Sequence, residues 1–269
     1  MPSGPGTSAP RAAALVVATT PAPPSVFSPC WAPVKGRPLV TWTLDCLAAS
    51  PHLSDVLVLA PEGRRELVQM LAARSGWRNV RALASPVASL PQAAPLLAAL
   101  AHLDATVETF VFVDAAQPLL RADSVHDVLT RADATQVAIA AVPVKETIKW
   151  ADEARQVRRT LPRSSLWQLQ TPAAVPRSTL TAGLRQQMAS PGAAAHSDLV
   201  SWLLATCAGV PVRVVPAGPD APRVRTRADL DLLAGMLRTA AAHCGHDPIF
   251  TDVGSALPIS PTGMARCGS

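Results

Sequence analysis

Tyrosine is absent from this 269-residue chain, and phenylalanine occurs only 4 times. Lysine is confined to positions 35, 145 and 149, so a net charge of +5 rests almost wholly on arginine. The arginines are scattered and form no basic run interleaved with aromatics, which argues against a nucleic-acid partner despite a pI near 9.3. The cysteines, Cys30, Cys46, Cys207, Cys244 and Cys267, are odd in number and lack a C-x-x-C pair. A disulfide framework is therefore not expected, and a reduced, cytoplasmic protein is. His243, Cys244 and His246 lie close together but lack a second ligand pair, so no metal site is read there. No apolar run approaches the ~18 residues of a membrane span. The stretch Ala12–Ala18, preceded by a single arginine, is short for a signal peptide and reads as a first buried strand.

Hydrophobic residues make up 49% of the chain and charged residues 16%, which supports a sizeable core. The run Phe110-Val111-Phe112-Val113 has no polar break and reads as a strand buried on both faces. It stops at Asp114, followed by Ala115, Ala116, Gln117 and Pro118. Ligands in open α/β sheets gather beyond the carboxyl ends of strands, so Asp114 is a candidate metal- or ribose-binding group. A strand-ending turn aspartate is the plainer alternative.

Along the chain, residues 1–10 read as a disordered tail. Leu15–Ala18 is a first strand, and Thr19–Pro33 a proline-stiffened loop. Pro38 is expected to open a helix through about Ala49. Strands follow at Val56–Ala60, Val80–Leu83 and Val137–Val142, with helices near Glu62–Arg74, Gln92–Leu103 and Ser124–Arg131. This alternation predicts βαβ crossovers and a mainly parallel sheet. Between about 143 and 171 the charged, alternating segments read as a hairpin that leaves the main body. Ile148 and Trp150 on it call for a partner, most economically a second copy offering the same arm. Helices near Ser178–Met188 and Ser197–Cys207 and a strand at Val212–Val215 resume the rhythm. Thr226 and Asp229 have the spacing of a capped helix start, with Leu230, Leu233 and Leu237 on one stripe. The domain is expected to span 11–242, with 243–269 a flexible tail.

Several segments carry a family resemblance, in the right order over about residues 12 to 238. Val113–Leu119 is similar to an H-D-A-A-R-P element, with Gln117 in place of its arginine. Pro143–Lys149 is similar to P-V-x-D-T-I-K, and Arg163–Pro172 to R-x-x-L-W-x-x-Q-T-P. Ser197-Asp198 stands for a Thr-Asp pair, Arg223-Val224 for Lys-Val-Thr, and Gly36–Leu39 for G-x-P-L. Together these resemble the 2-C-methyl-D-erythritol 4-phosphate cytidylyltransferases.

The resemblance implies an α/β, Rossmann-like nucleotidyltransferase fold with a protruding β-arm that exchanges in a homodimer. It implies CTP and a phosphorylated sugar alcohol as ligands. Asp114 is implied to hold Mg²⁺, with Ala115 beside the cofactor. Arg163, supplied by the partner, and Arg223 are implied to orient the attacking phosphate, aided by Thr147, Thr171 and Ser197.

The chain departs from the family where the nucleotide is held. The family's A-A-G-x-G-x-R loop, whose backbone amides wrap the triphosphate, is replaced by Ala18–Cys30, which has neither glycine nor cation. The Gly-Asp-x-x-R-x-x-S-V loop is replaced by Ala84–Gln92, also without a cation. Lys35 and Arg37 are the nearby cations that could substitute, or plain turn residues. Three outcomes stay open: a cytidylyltransferase with an unusual nucleotide loop, a catalytically impaired homologue acting as a binding or regulatory subunit, and a transferase for another nucleotide or acceptor.

Overall fold

A computed structural model describes residues 11–18, 28–85, 90–190, 196, 198–218 and 223–244. The expected N-terminal tail, most of the loop after the first strand, Ser197 and the tail beyond 244 lie outside the described residues. In chain order come β1 (Arg11–Val17), the short pair β2 (Pro33–Val34) and β3 (Arg37–Pro38), α1 (Val40–Ala48), β4 (Leu53–Pro61), α2 (Arg65–Ser75) and β5 (Val80–Ser85). Next are α3 (Ala93–Ala101), β6 (Val107–Asp114), α4 (Ala122–Arg131), β7 (Val137–Pro143), β8 (Lys149–Ala151) and β9 (Val157–Thr160). The chain continues with β10 (Trp167–Pro176), α5 (Arg177–Ala189), α6 (Leu199–Thr206), β11 (Val212–Pro216) and α7 (Arg227–Cys244).

A 7-stranded sheet in the order β11-β7-β10-β6-β1-β4-β5 forms the body. Within β1, side chains alternate between two cores. Ala12, Ala14, Val16 and Ala18 face one, which α1, α2 and α4 cover. Ala13, Leu15 and Val17 face the other, covered by α3, α5 and α6. β6 divides likewise, Val111 and Val113 on one side and Phe110 and Phe112 on the other, all fully buried. This two-sided burial is why both strands read as continuous apolar runs. Val34 and Leu39 form a third cluster with Val224, Leu233 and Leu237, which docks α7 against the β2–β3 hairpin. No helix among the described residues is long and apolar enough to cross a membrane.

The sheet is parallel except for β10, which runs antiparallel between β6 and β7. The sequence reading placed Arg163–Thr171 in the arm and missed this strand. Pro172 and Pro176 cannot donate to a ladder, which masks the segment as strand. The structure accommodates Pro172 where the β10–β7 register breaks, between Leu169 and Ala173.

A second departure is at Pro38, which belongs to β3 and not to the first turn of α1. The Lys35-Gly36 turn, with φ of 48° and 77°, folds Pro33-Val34 back onto Arg37-Pro38. Positive φ at both central residues matches the tight turns that twist with a hairpin.

Arg177 explains how α5 and α3 are tied at the far edge of the sheet. Its guanidinium donates to the carbonyls of Leu100, Asp104 and Val107, placing a cation at the α3 C-terminus, where the helix dipole favours it. Gly183 lets α5 and α6 approach: a Cβ there would lie 1.9 Å from the Thr206 carbonyl oxygen.

A hairpin stands within the segment expected to form the arm, which ends where β10 begins at Trp167. β8 and β9 form their own two-stranded sheet, apart from the main one. Trp150 is 49% exposed and Val157 62%.

Candidate active site

Pairing register brings three strand ends level. Val17 pairs with Leu59 on one side and with Asp114 on the other. Since β1, β4 and β6 are parallel, their carboxyl ends open on one edge, where a ligand crevice is expected. Asp114 closes β6 there and is 5% exposed.

Its carboxylate is held from two sides. Oδ1 accepts the Ala116 N–H at 2.8 Å, and Oδ2 lies 2.7 Å from Arg223 Nε. The arginine contact is one of charge, since the buried Nε–H has no aligned acceptor. Arg223 is brought there by its own backbone: the Val224 N–H donates to the Ala116 carbonyl at 2.8 Å. Just downstream, the Asp229 carboxylate accepts the N–H groups of Arg225 and Thr226, and the Asp229 N–H donates to Thr226 Oγ1. That capped turn fixes where α7 starts, and hence where Arg223 stands.

Burial pushes the Asp114 carboxyl above its ordinary value, Arg223 and the Ala116 N–H pull it back, and the charge of Asp198 pushes it further up. Asp198 caps α6, accepting the Ser201 N–H and hydroxyl. The Cys30 thiol is buried beside these groups, and desolvation with the Asp114 charge pushes its pKa up, so it stays protonated.

Thr171 and Gln117 form a lock behind Asp114. The Thr171 hydroxyl donates to Gln117 Oε1 at 2.6 Å and accepts the Asp114 N–H at 3.1 Å, while the Thr171 N–H also donates to Gln117 Oε1. Both residues are buried, and the lock joins β6 to β10. The glutamine that stands for the family's arginine thus has a defined task here. A cavity of about 230 Å³ opens beside the lock, lined by Gln117, Thr171, Gln170, Arg121, Asp127 and Gly218. The larger cavity, about 1080 Å³, touches Ala12, Thr109 and Pro176 at the opposite edge of the sheet and takes no part in this site.

The predicted site residues are therefore brought together only in part. Asp114, Thr171 and Arg223 share one cluster. Ala115 lies in it, with its N–H committed to the Val17 carbonyl. Thr147 and Arg163 are exposed on the arm, where Arg163 donates to the Lys145 carbonyl at 3.2 Å. Ser197 lies outside the described residues. Of the candidate substitute cations, Arg37 pairs with Asp45 at 2.7 Å and lies over the Trp42 ring, and Lys35 sits exposed at the hairpin tip. Arg64, which sequence reasoning passed over, stacks on Trp31 at the site's edge. Its signal was weak: an arginine just past a buried strand, among other arginines.

Comparison with known proteins places this arrangement. The family model for 2-C-methyl-D-erythritol 4-phosphate cytidylyltransferase matches residues 27–239. No curated protein matches the chain. Among solved structures, 4-diphosphocytidyl-2C-methyl-D-erythritol synthase from Anaerococcus prevotii superposes with a TM-score of 0.70 at 18% identity, over 85% of this chain and 98% of the other. The 2-C-methyl-D-erythritol 4-phosphate cytidylyltransferase of Thermus thermophilus gives 0.60 at 20% identity, over 83% and 98%. A CMP:2-keto-3-deoxy-manno-octonic acid synthetase complexed with CTP gives 0.62 at 14% identity, over 86% and 99%. At these identities the likeness speaks for a shared nucleotidyltransferase fold.

Proposed function

Because the chain belongs to the 2-C-methyl-D-erythritol 4-phosphate cytidylyltransferase family, we propose that it transfers a cytidylyl group from CTP to 2-C-methyl-D-erythritol 4-phosphate and releases pyrophosphate, in isoprenoid precursor synthesis. The observation that carries this reading is the Asp114–Arg223 pair, set at the common edge of β1, β4 and β6. An oxygen of the acceptor phosphate attacks the α-phosphorus of CTP, and the bond to the β-phosphate bridging oxygen breaks. Such chemistry asks the protein to position two anions and to neutralise developing charge.

Arg223 is the proposed cation for the acceptor phosphate. The Thr171 hydroxyl already has a donor and an acceptor, so its proposed contact with substrate requires exchange with the Gln117 lock. Ser197, next to the Asp198 cap, and the Ala115 backbone complete the proposed set on this subunit. Arg163 and Thr147 are proposed to serve the site of a second copy. The exposed arm that carries them, with Trp150 and Val157 bare, supports a homodimer in which arms exchange.

For a divalent ion, Asp114 and Asp198 are the carboxylates whose charges meet at this edge. No group of three or more His, Cys, Asp or Glu side chains is gathered among the described residues. Mg²⁺ commonly takes one or two carboxylates beside substrate phosphates and water, so Asp114 fits as its protein ligand. When bound, the ion supplies neutralising charge to the triphosphate. The buried thiols Cys30 and Cys207, free in the structure, accord with the reducing cytoplasm we propose as its location.

The test is release of pyrophosphate from CTP, Mg²⁺ and methylerythritol phosphate by the full chain. Turnover that vanishes in Asp114→Ala supports the reading. Binding of the phosphosugar without turnover assigns the chain instead to a non-catalytic binding role. Turnover with another nucleotide or acceptor alone replaces the substrate assignment.

A further inference from the structure

The loop after β1 has no cation to offer a triphosphate, yet the same edge carries an exposed arginine, Arg64, with no ion pair among the described residues. β4 closes at Pro61, two residues past Leu59, which is level with Val17 and so with Asp114. The short 3-10 turn Glu62–Arg64 therefore leaves the sheet at the catalytic edge. A second 3-10 turn, Pro29–Trp31, connects it to the site: Cys30 lies within electrostatic reach of Asp114 and Arg223, and Trp31 lies under the Arg64 guanidinium, 5.6 Å from its ring centroid.

We propose that Arg64, held on Trp31, binds the nucleotide's triphosphate in place of the cations missing from the loop; this rests on the cytidylyltransferase reading above. Three observations carry it. Arg64 is exposed and meets no carboxylate among the described residues, whereas Arg37 and Arg223 are each committed to an aspartate. It stands at the N-cap position of α2 without a side-chain cap, where the helix dipole disfavours a cation and favours an anion beside it, Glu66 being the acidic residue of that first turn. The indole plane holds the guanidinium by cation–π attraction, so little freedom remains to be lost on binding a phosphate.

CTP binding with Mg²⁺, measured by calorimetry on the full chain, tests this without requiring turnover. Arg64→Gln is expected to weaken CTP by about tenfold or more, with Arg64→Lys recovering part of the loss. Methylerythritol phosphate affinity stays unchanged. In turnover the loss falls on the KM for CTP and spares kcat. Equal CTP affinity in wild type and Arg64→Gln overturns the assignment and leaves the cytidylyltransferase reading standing. No CTP binding by the wild type overturns both. A parallel loss of both ligands in Arg64→Gln overturns it as a general defect.

Discussion

Arg223 Nε lies 2.7 Å from Asp114 Oδ2, and the carboxylate so held is still pushed above its ordinary pKa. Burial outweighs the attraction of the arginine, so the ionised aspartate is a cost to the fold, kept at the place where chemistry is proposed. The two partners should then respond unequally to removal. Arg223→Met leaves a buried carboxylate unpaired and is expected to cost about 3 kcal/mol in urea denaturation. Asp114→Asn should leave stability unchanged or raised, while pyrophosphate release falls by about two orders of magnitude or more.

The pH dependence follows from the same shift. A carboxyl whose folded-state pKa is raised stabilises most below its unfolded value, near 3.8, and that contribution is lost as pH rises through the folded value. Asp114→Asn should abolish this loss, measured as unfolding free energy from pH 3 upwards. Asp133 and Asp229, lowered by neighbouring N–H groups and hydroxyls, act in the opposite sense. Their stabilisation is present above the unfolded value and is lost as pH falls through the folded one. In kcat/KM, the acid limb assigned to Asp114 should lie above 3.8, and Arg223→Gln should move it higher still.

The Thr171–Gln117 lock can be opened with one methyl-for-hydroxyl exchange. Thr171→Val strands the buried Asp114 N–H, while Gln117 Oε1 keeps the Thr171 N–H, at an expected cost of about 1–3 kcal/mol. Adding Gln117→Leu to Thr171→Val should cost more still, since the buried Thr171 N–H then loses its acceptor as well.

Gly183→Ala tests the α5–α6 approach. A Cβ set 1.9 Å from a backbone oxygen forces the helices apart, with an expected loss of about 1–3 kcal/mol in thermal or urea unfolding. Catalytic constants of the folded fraction should change little, because the contact lies away from Asp114.

The arm predicts an oligomeric state. Sedimentation should give a dimer for the wild type and a monomer for the double variant Trp150→Asp, Val157→Asp. Turnover should fall with dimer content, because Arg163 then has no neighbouring site to reach.

What the sequence determined by itself was the part governed by periodicity and short-range chemistry. Phe110–Val113 announced a two-faced buried strand ending at Asp114, Thr226 and Asp229 a helix start, and the charged, alternating segments after Pro143 a hairpin. Tertiary structure decided what lies between distant segments. Only the fold threads β10 antiparallel through a parallel sheet, with its prolines set at a register break and at its end. Only the fold turns Gln117, in sequence a lost arginine, into the group that locks Thr171, 54 positions away. Arg223 likewise gains its partner because Val224 pairs with Ala116 across a separation of more than a hundred residues. Local sequence sets which conformations each segment favours; which charges meet is set by how those segments pack.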